Sequence, residues 1–292
     1  MNRQRMTQQE ISPQNLKTML FLGVVSCLVL FCGKTLGGVT GMQIALMFAV
    51  AVNVILYWFS DSIIFKLFNA KPIITDDEPL LHGTVAYLAE KADMPMPRIY
   101  RIEDKFPVAF SVGRNPDKAM IAVTTGLLKA LEKDELAGVM AHELAHIQNN
   151  DTRLATLAAG VGGTVSALAN MLQVIVYLGA RSPHTEPNWI GKMVMSMVAP
   201  VLAILVHLAV SRSREYEADE KAAQLCGNPM WLAHALYKLE RAKERYELKA
   251  AEVHPTTALL CTINPLHNKQ WSFLFGIQPP ARERINRLEA LA

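Results

Sequence analysis

The sequence carries little charge for its length, and it lacks the features that nucleic-acid binding needs. Of its 292 residues, 19% are charged and 51% are hydrophobic, and the formal net charge is only +3. It has no polybasic run and no interleaving of aromatic residues with Arg or Lys, so nucleic acid is not expected as a partner. The charged share is low and the apolar share high for a soluble domain, so we expect part of the chain to lie in a lipid bilayer.

Cysteine is also scarce, and its spacing fits no cysteine-based site. The four cysteines form no C-x-x-C pair, and they stand at Cys27, Cys32, Cys226 and Cys261. This pattern argues against both a disulfide framework and a cysteine-type zinc site. We expect ordinary packing cysteines in a reducing compartment.

Four uncharged runs divide the chain, at residues 18–33, 35–60, 154–180 and 193–211. A membrane-spanning helix needs about 20 apolar residues. Residues 18–60 are therefore predicted to form two transmembrane helices, with Lys34 reaching the interface. The first run is not interpreted as a cleavable signal peptide, because no small-residue cleavage site is obvious and a second apolar run follows at once.

The third and fourth runs allow two interpretations. Their small residues, among them Gly160, Gly162 and Gly163, suit close packing between membrane helices. A buried helical hairpin of a soluble domain fits the same pattern. The sequence favours a membrane hairpin over residues 154–211 but leaves the second interpretation open.

Cations beside the apolar runs predict the orientation of the chain. Most of them lie before the first run, between the second and third, or after the fourth: Arg3, Arg5, Lys17, Lys66, Lys71, Arg153, Arg212 and Arg214. The positive-inside rule then places the N-terminus and both polar regions in the cytoplasm. The predicted parts are a cytoplasmic arm (1–17), two transmembrane helices (18–60), a first polar part (61–153), the apolar hairpin (154–211) and a second polar part (212–292).

The polar regions have the pattern of a mainly α fold with a small β-sheet, an α+β class. Helical spacing of apolar residues predicts a helix over 78–91, and short β-rich runs predict strands at 97–102, 108–112 and 119–123. Asp134 is predicted as the N-cap of a helix that ends near residue 149. Two further helices are predicted over 213–226 and 231–248.

The residues with the clearest chemistry are His142, Glu143 and His146, which form an H-E-x-x-H pattern. On a helix, positions i and i+4 share one face, so both imidazoles can reach one Zn²⁺ ion. Glu143 is offset by about 100° on the helix. It therefore borders the metal face without occupying it, which suits a general base acting on zinc-activated water.

A catalytic zinc site takes three protein ligands, so a third must come from elsewhere in the chain. Glu215 and Asp219 are separated by four residues and share a helix face, whereas Glu217 points away from them. We predict Glu215 as the third ligand of one zinc ion per chain. Asp219 is predicted to bond the distal nitrogen of a ligand histidine and so to fix its tautomer.

The runs 139–147 (VMAHELAHI) and 211–219 (SRSREYEAD) resemble the two signatures of the HtpX-type membrane zinc metalloproteases, which are relatives of the CAAX prenyl endoproteases. The runs 109–113, 121–128 and 275–285 are also similar. The resemblance implies a membrane-anchored, zincin-like catalytic domain in a bacterial inner membrane, with its site facing the cytoplasm. It further implies quality control, with unfolded or damaged membrane proteins as substrates. It implies no oligomeric state.

Two positions depart from the family's pattern. Gln278 stands before Pro279 and Pro280, where the family usually carries His, and it can donate an amide N–H but cannot carry charge. Val108 stands where the family usually has Asn. Both changes leave the metal ligands intact and affect only the expected contacts with the substrate and the transition state.

Residues 108–113 fit an edge strand to which an extended peptide adds through main-chain hydrogen bonds. Ala109, Phe110 and Ser111 are then the expected substrate contacts. A plain core strand is the alternative interpretation of the same run.

Two other functions compete with a general zinc endopeptidase. A non-catalytic membrane scaffold that keeps zinc for structure would need a fourth Cys or His ligand, and the sequence offers none at ligand spacing. A specialised prenyl-protein endoprotease is the alternative within enzymes, although proteins of that kind are longer and have more spans than four.

Overall fold

The computed structural model describes residues 13–74, 77–179, 203 and 211–292. The chain divides into two compact units, Met1–Trp58 and Phe59–Ala292. Predictions for residues 1–12, for the end of the third apolar run and, apart from residues 203 and 211, for the fourth run lie outside the described residues.

The first unit is a long apolar helix with one break. Helix α1 spans Pro13–Leu67, and its last residues belong to the second unit. The break falls at Gly37 and Gly38, not at Lys34, because Gly38 adopts φ 60° and ψ −141°, a conformation that only glycine takes readily. Among the described residues, two helical stretches, Thr18–Thr35 and Gly37–Ile55, are long and apolar enough to cross a membrane.

The two stretches contact each other while leaving large apolar side chains exposed. A Cβ atom added to Gly33 would lie 2.6 Å from the carbonyl oxygen of Gly41, so glycine permits this approach. The side-chain amide of Asn53 donates to the Ser26 hydroxyl at 2.7 Å. Met47 is nevertheless 75% exposed. Apolar exposure along a whole helix is what a lipid-facing surface requires.

The second unit contains a four-stranded sheet with the order β1-β2-β4-β3. Its strands are β1 (Lys71–Pro72), β2 (Arg98–Ile102), β3 (Ala109–Val112) and β4 (Met120–Thr124). Strand β4 runs parallel to β2 and antiparallel to β3, which lies at one edge. The three predicted strands are present with small shifts of their ends, whereas the two-residue β1 was not predicted.

Helices make up most of the second unit, so the predicted fold class is confirmed. They are α2 (Pro79–Lys91), α3 (Thr125–Ala130), α4 (Lys133–Gln148), α5 (Asp151–Gly179), α6 (Arg212–Cys226), α7 (Pro229–Lys243), α8 (Lys249–Val253), α9 (Lys269–Phe275) and α10 (Ala281–Glu289), with 3₁₀ turns at Pro116–Lys118 and Pro255–Leu260.

Helix α4 lies at the centre of this unit, packed against α2, α6, α7 and β3. The prediction of Asp134 as its N-cap is wrong. Glu132 is the N-cap, and its amide donates to the Glu135 carboxylate at 2.8 Å. This bond satisfies a main-chain donor just before the first turn, and the helix begins at Lys133, two residues earlier than an N-cap at Asp134 would give.

The beginning of α5 bears on the two interpretations of the third apolar run. Leu154, Leu157 and Ala159 are buried. A Cβ atom on Gly162 would lie within 2.4 Å of three side-chain atoms of Thr256, so the helix packs closely on the 3₁₀ turn Pro255–Leu260. The start of this run is therefore core of the second unit. A membrane hairpin farther along the run stays a prediction.

The contact between α4 and α7 gives a test of the fold. A Cβ atom on Gly138, one turn before His142, would lie 2.7 Å from the main-chain nitrogen of Leu232. Gly138→Ala should lower the stability by about 1–3 kcal/mol through this overlap, although alanine alone favours a helix by about 1 kcal/mol. Gly83→Ala in α2, where nothing lies within 4 Å of the added atom, is the control. Equal thermal-unfolding midpoints for the two variants would contradict the packing.

Candidate active site

Two imidazoles on α4 point toward one another. His142 is fully buried, whereas the side chain of His146 is 14% exposed, and their Nε2 atoms lie 3.2 Å apart. The ring planes are inclined at 85°. Two unprotonated ring nitrogens this close repel each other unless a proton or a cation lies between them.

Helix α6 brings Glu215 to the same point. Its carboxylate oxygens lie 3.7 Å from Nε2 of His142 and 3.6 Å from Nε2 of His146. The Oε2 atom is buried and has no hydrogen-bond partner in the part of the chain that the structure describes. One ligand atom from each residue lies within 4.8 Å of the others. Tetrahedral zinc with bonds of about 2.0–2.1 Å separates its ligand atoms by about 3.4 Å, so the cluster fits a metal ion.

The opposite nitrogen of His142 is held by a buried chain of charges. Its Nδ1 atom lies 3.0 Å from Oδ1 of Asp219, so the Nδ1–H donates and Nε2 keeps its lone pair for a metal. Asp219 in turn accepts from Nε and Nη2 of Arg284 at 2.8 and 2.7 Å. Arg284 also donates to the Thr262 carbonyl oxygen at 2.6 Å. The sequence prediction included Asp219 but missed Arg284, which α10 contributes from 65 residues farther along the chain.

His146 has an equivalent support, which the sequence prediction missed altogether. Its Nδ1 atom lies 3.3 Å from Oδ2 of Asp151, and Nη1 of Arg214 lies 3.4 Å from the other oxygen of Asp151. Asn150, with φ 58°, is in the left-handed conformation between α4 and α5, and Asp151 follows it as the first residue of α5. An Asp five residues after the second His is the signal that could have found it.

These contacts set the charge states around the histidines. Burial lowers the pKa of His142, but hydrogen bonds to Asp219 and Glu215 outweigh burial and raise that pKa to about 9. For Asp219, burial raises the pKa, but the Arg284 guanidinium and His142 outweigh it and hold the pKa below its usual value. The pKa of Glu215 is also lowered, because the histidines and Arg284 outweigh its burial.

Glu143 lies beside the cluster with both carboxylate oxygens engaged. Ser111 donates its hydroxyl to Oε2 at 2.8 Å, and the Thr262 hydroxyl lies 2.9 Å from Oε1. The side chain is buried yet lines the same pocket as the two histidines. A carboxylate fixed here can exchange a proton with a group in the pocket.

The predicted substrate strand is an edge strand, but its side chains differ in exposure to the pocket. Ser111 lines the pocket. Phe110 is buried on the other face, with ring centroids 4.9 Å from Phe68 and 6.4 Å from Phe65, so its side chain belongs to the core. Ala109 is also buried, and its carbonyl oxygen accepts from the Thr262 amide at 3.3 Å. Any peptide contact of Ala109 and Phe110 therefore depends on their main chain.

Gln278 is a support for the pocket wall. Its amide nitrogen donates to the carbonyl oxygens of Ala258 and Cys261 at 2.6 and 3.2 Å. These bonds hold the 3₁₀ turn and the residue that follows it, and they occupy the amide donor that Gln278 offers in place of the family's His.

The pocket beside the histidines is partly open to solvent and has a cavity volume of about 40 Å³. Its polar side carries the groups described above. Its other side is apolar, lined by Ala155 of α5 and by Leu259, Leu260 and Cys261. The arrangement combines a metal-binding cluster, an adjacent buried carboxylate and a wall that can take an apolar side chain.

The amino-acid sequence of this chain is similar to those of known peptidases. The family model described as peptidase family M48 matches residues 76–292. The chain is 42% identical over 278 residues to Protease HtpX of Legionella pneumophila strain Philadelphia 1, which covers 95% of this chain and 99% of that protein. It is 44% identical over 279 residues to Protease HtpX homolog of Persephonella marina, with 95% and 97% covered.

Among solved structures, Ste24p of S. mikatae is similar with a TM-score of 0.48 and 17% identity. The match covers 94% of this chain and 65% of Ste24p, so the chain spans less than two thirds of that protein.

The raised pKa of His142 predicts that metal binding releases a proton. At pH 7, below the pKa of about 9, His142 carries a proton that a metal ligand must lose. Calorimetric titration of chelator-treated protein with zinc, in buffers of different ionisation enthalpy, should give about one proton released per ion at pH 7. Proton release should vanish above the pKa of His142, so the affinity for zinc should rise with pH up to that pKa. No release at pH 7 would contradict the assignment.

Arg284 gives a second prediction. Arg284→Met leaves Asp219 and Glu215 buried without their cation, a change that costs about 3–5 kcal/mol and should also weaken zinc binding. Arg287→Met is the matched control on α10, because Arg287 is half-exposed and pairs with Glu220 on the surface. The control should change stability by less than about 1 kcal/mol. Similar midpoints of thermal unfolding for both variants would refute the role of Arg284.

Proposed function

The chain belongs to peptidase family M48, and on that premise we propose that it is a zinc endopeptidase of a bacterial inner membrane. The resemblance to HtpX-type proteases is confirmed by the relatives, and a metalloprotease is the activity they support. A non-catalytic zinc scaffold is therefore set aside. The observation that carries the proposal is the convergence of His142, His146 and Glu215 beside the buried carboxylate of Glu143.

We assign the metal to zinc on the chemistry of its ligands. Two imidazoles and one carboxylate, without a sulfur ligand, are typical of a catalytic site that keeps a position open for substrate or water. When bound, zinc supplies Lewis acidity that makes water a better nucleophile and polarises a carbonyl oxygen. His142, His146 and Glu215 would hold it, and Asp219 and Asp151 would orient the two rings.

Glu143 is proposed as the general base and general acid of peptide hydrolysis. It takes a proton from the attacking water and gives a proton to the leaving amine nitrogen. Because its carboxylate is fixed by two hydroxyls, it needs no reorganisation before it accepts the proton. No side chain of this site has to form a covalent bond with the substrate.

The substrate is proposed to bind as an extra strand on β3. Val108 accepts a hydrogen bond from the Thr124 amide, so by antiparallel alternation the main-chain groups of Ala109 and Ser111 face away from β4. The Ala109 carbonyl oxygen is already bonded to Thr262, and the main chain of Ser111 remains next to the pocket. Main-chain pairing tolerates many sequences, which suits unfolded or damaged membrane proteins as substrates.

The activity is tested with detergent-purified protein and unfolded casein. Wild type with zinc should cleave casein, and chelation should abolish cleavage reversibly. Glu143→Gln should keep its zinc but lose about 10²–10⁴-fold in rate, because a general base contributes that much. Cleavage that persists in both the chelated protein and the variant would refute the proposal.

The proposed location is an inner membrane with the second unit in the cytoplasm. Glu289 is exposed near the end of α10, and Glu289→Cys provides a label site. A membrane-impermeant maleimide should label this cysteine only after spheroplasts are permeabilised. Labelling of intact spheroplasts beyond the wild-type background would place the site on the opposite side of the membrane.

A further inference from the structure

Two hydroxyls hold the carboxylate of Glu143, one at each of its oxygens. Ser111 belongs to edge strand β3, and its hydroxyl donates to Oε2 at 2.8 Å. Thr262 follows the 3₁₀ turn Pro255–Leu260, and its hydroxyl lies 2.9 Å from Oε1. The three side chains are almost completely buried, with exposures of 5%, 2% and 1% for Ser111, Thr262 and Glu143. Water therefore competes little for either bond.

The Thr262 hydroxyl has two acceptors within reach but only one proton. Besides Glu143, the carbonyl oxygen of Ala109 lies 3.0 Å from it. That carbonyl also accepts from the Thr262 amide at 3.3 Å. An ionised carboxylate is the stronger acceptor, so the hydroxyl proton goes to Glu143 while the amide keeps the bond to Ala109.

The second acceptor matters when Glu143 carries a proton. A protonated carboxyl oxygen is a hydrogen-bond donor. If the Thr262 hydroxyl kept its own proton directed at that oxygen, the two protons would repel each other. Thr262 can instead turn its proton to the Ala109 carbonyl and accept the Glu143 proton on its lone pair. The proton itself stays on Glu143, and only the hydroxyl rotates.

We propose that Ser111 and Thr262 are positioning residues for Glu143, and that Thr262 supports the carboxyl group both before and after it takes a proton. This inference rests on the proposed function, in which Glu143 is the general base. It also connects the base to β3, because Thr262 bonds the main chain of the same strand that carries Ser111.

The two contacts of Thr262 predict different kinetic effects. Loss of the bond to Glu143 misplaces the base in the transition state and lowers kcat. Loss of the anchor on Ala109 disturbs the strand on which the peptide is proposed to bind and raises KM. Because the amide of Thr262 still bonds Ala109 after the hydroxyl is removed, the effect on kcat should exceed the effect on KM.

The experiment compares Thr262→Val, Thr262→Ser and Ser111→Ala in the zinc-loaded, full-length protein. Valine should lower kcat by about 10- to 100-fold, as expected for a lost charge-assisted bond, with KM changed less than about threefold. Serine restores the hydroxyl and should remain within about threefold of wild type in kcat. Ser111→Ala should lower kcat by about tenfold. All three should bind one zinc ion per chain.

Thr257→Val is the matched control. Thr257 lies in the 3₁₀ turn that precedes Thr262 and is fully buried, and its hydroxyl donates to the His254 carbonyl oxygen at 2.7 Å. Its loss removes a buried hydroxyl bond without touching Glu143, so kcat should stay near the wild-type value. An equal fall in kcat for Thr257→Val and Thr262→Val would overturn the inference.

The outcomes also separate this inference from the proposed function. A wild-type protein without chelator-sensitive cleavage refutes the function itself. An active wild type with normal kcat for both Thr262→Val and Ser111→Ala refutes only the positioning role. If Thr262→Val fails to fold or to bind zinc, Ser111→Ala and Thr262→Ser test the positioning role instead. Ser111→Ala leaves the bonds between Thr262 and Ala109 intact, and Thr262→Ser keeps the hydroxyl.

Discussion

The site depends on two carboxylate–imidazole bonds that leave one ring nitrogen of each histidine facing the same point. Asp219 holds His142, and Asp151 holds His146. Each aspartate is itself contacted by an arginine, Arg284 for the first and Arg214 for the second. Without these bonds either ring could adopt the other tautomer or rotate, and the two Nε2 lone pairs would no longer point at one metal position.

Charge balance explains why such a site tolerates burial. Glu143, Asp151, Glu215 and Asp219 contribute four negative charges, and Arg214 and Arg284 contribute two positive charges. The remaining charge of minus two equals what one divalent cation neutralises. The raised pKa of His142 expresses the same imbalance, because a proton on that ring replaces part of the missing positive charge. Proton release on metal binding and strong binding of the metal are thus two consequences of one electrostatic arrangement.

Local patterns predicted the parts of the site that lie within one or two helical turns. The i, i+4 spacing of His142 and His146 and that of Glu215 and Asp219 define common faces without further information. Arg284 and Thr262 could not be found in this way, because they reach the cluster only through tertiary contacts. Arg284 comes from α10, and Thr262 comes from the loop after the 3₁₀ turn Pro255–Leu260. Asp151 depends on the left-handed turn at Asn150, which sequence spacing alone does not specify. The capping error at Asp134 has a different origin, because Asp is a preferred N-cap residue and Glu is not, so residue type alone does not indicate Glu132.

The account requires that the ligands of the metal be two imidazoles and the Glu215 carboxylate, with no sulfur. X-ray absorption at the zinc edge of the purified protein measures this directly. The account predicts only nitrogen and oxygen neighbours at about 2.0–2.1 Å, with an imidazole pattern from two rings and a spectrum that changes in Glu215→Ala. A sulfur neighbour at about 2.3 Å, or a spectrum unchanged by that substitution, would contradict it.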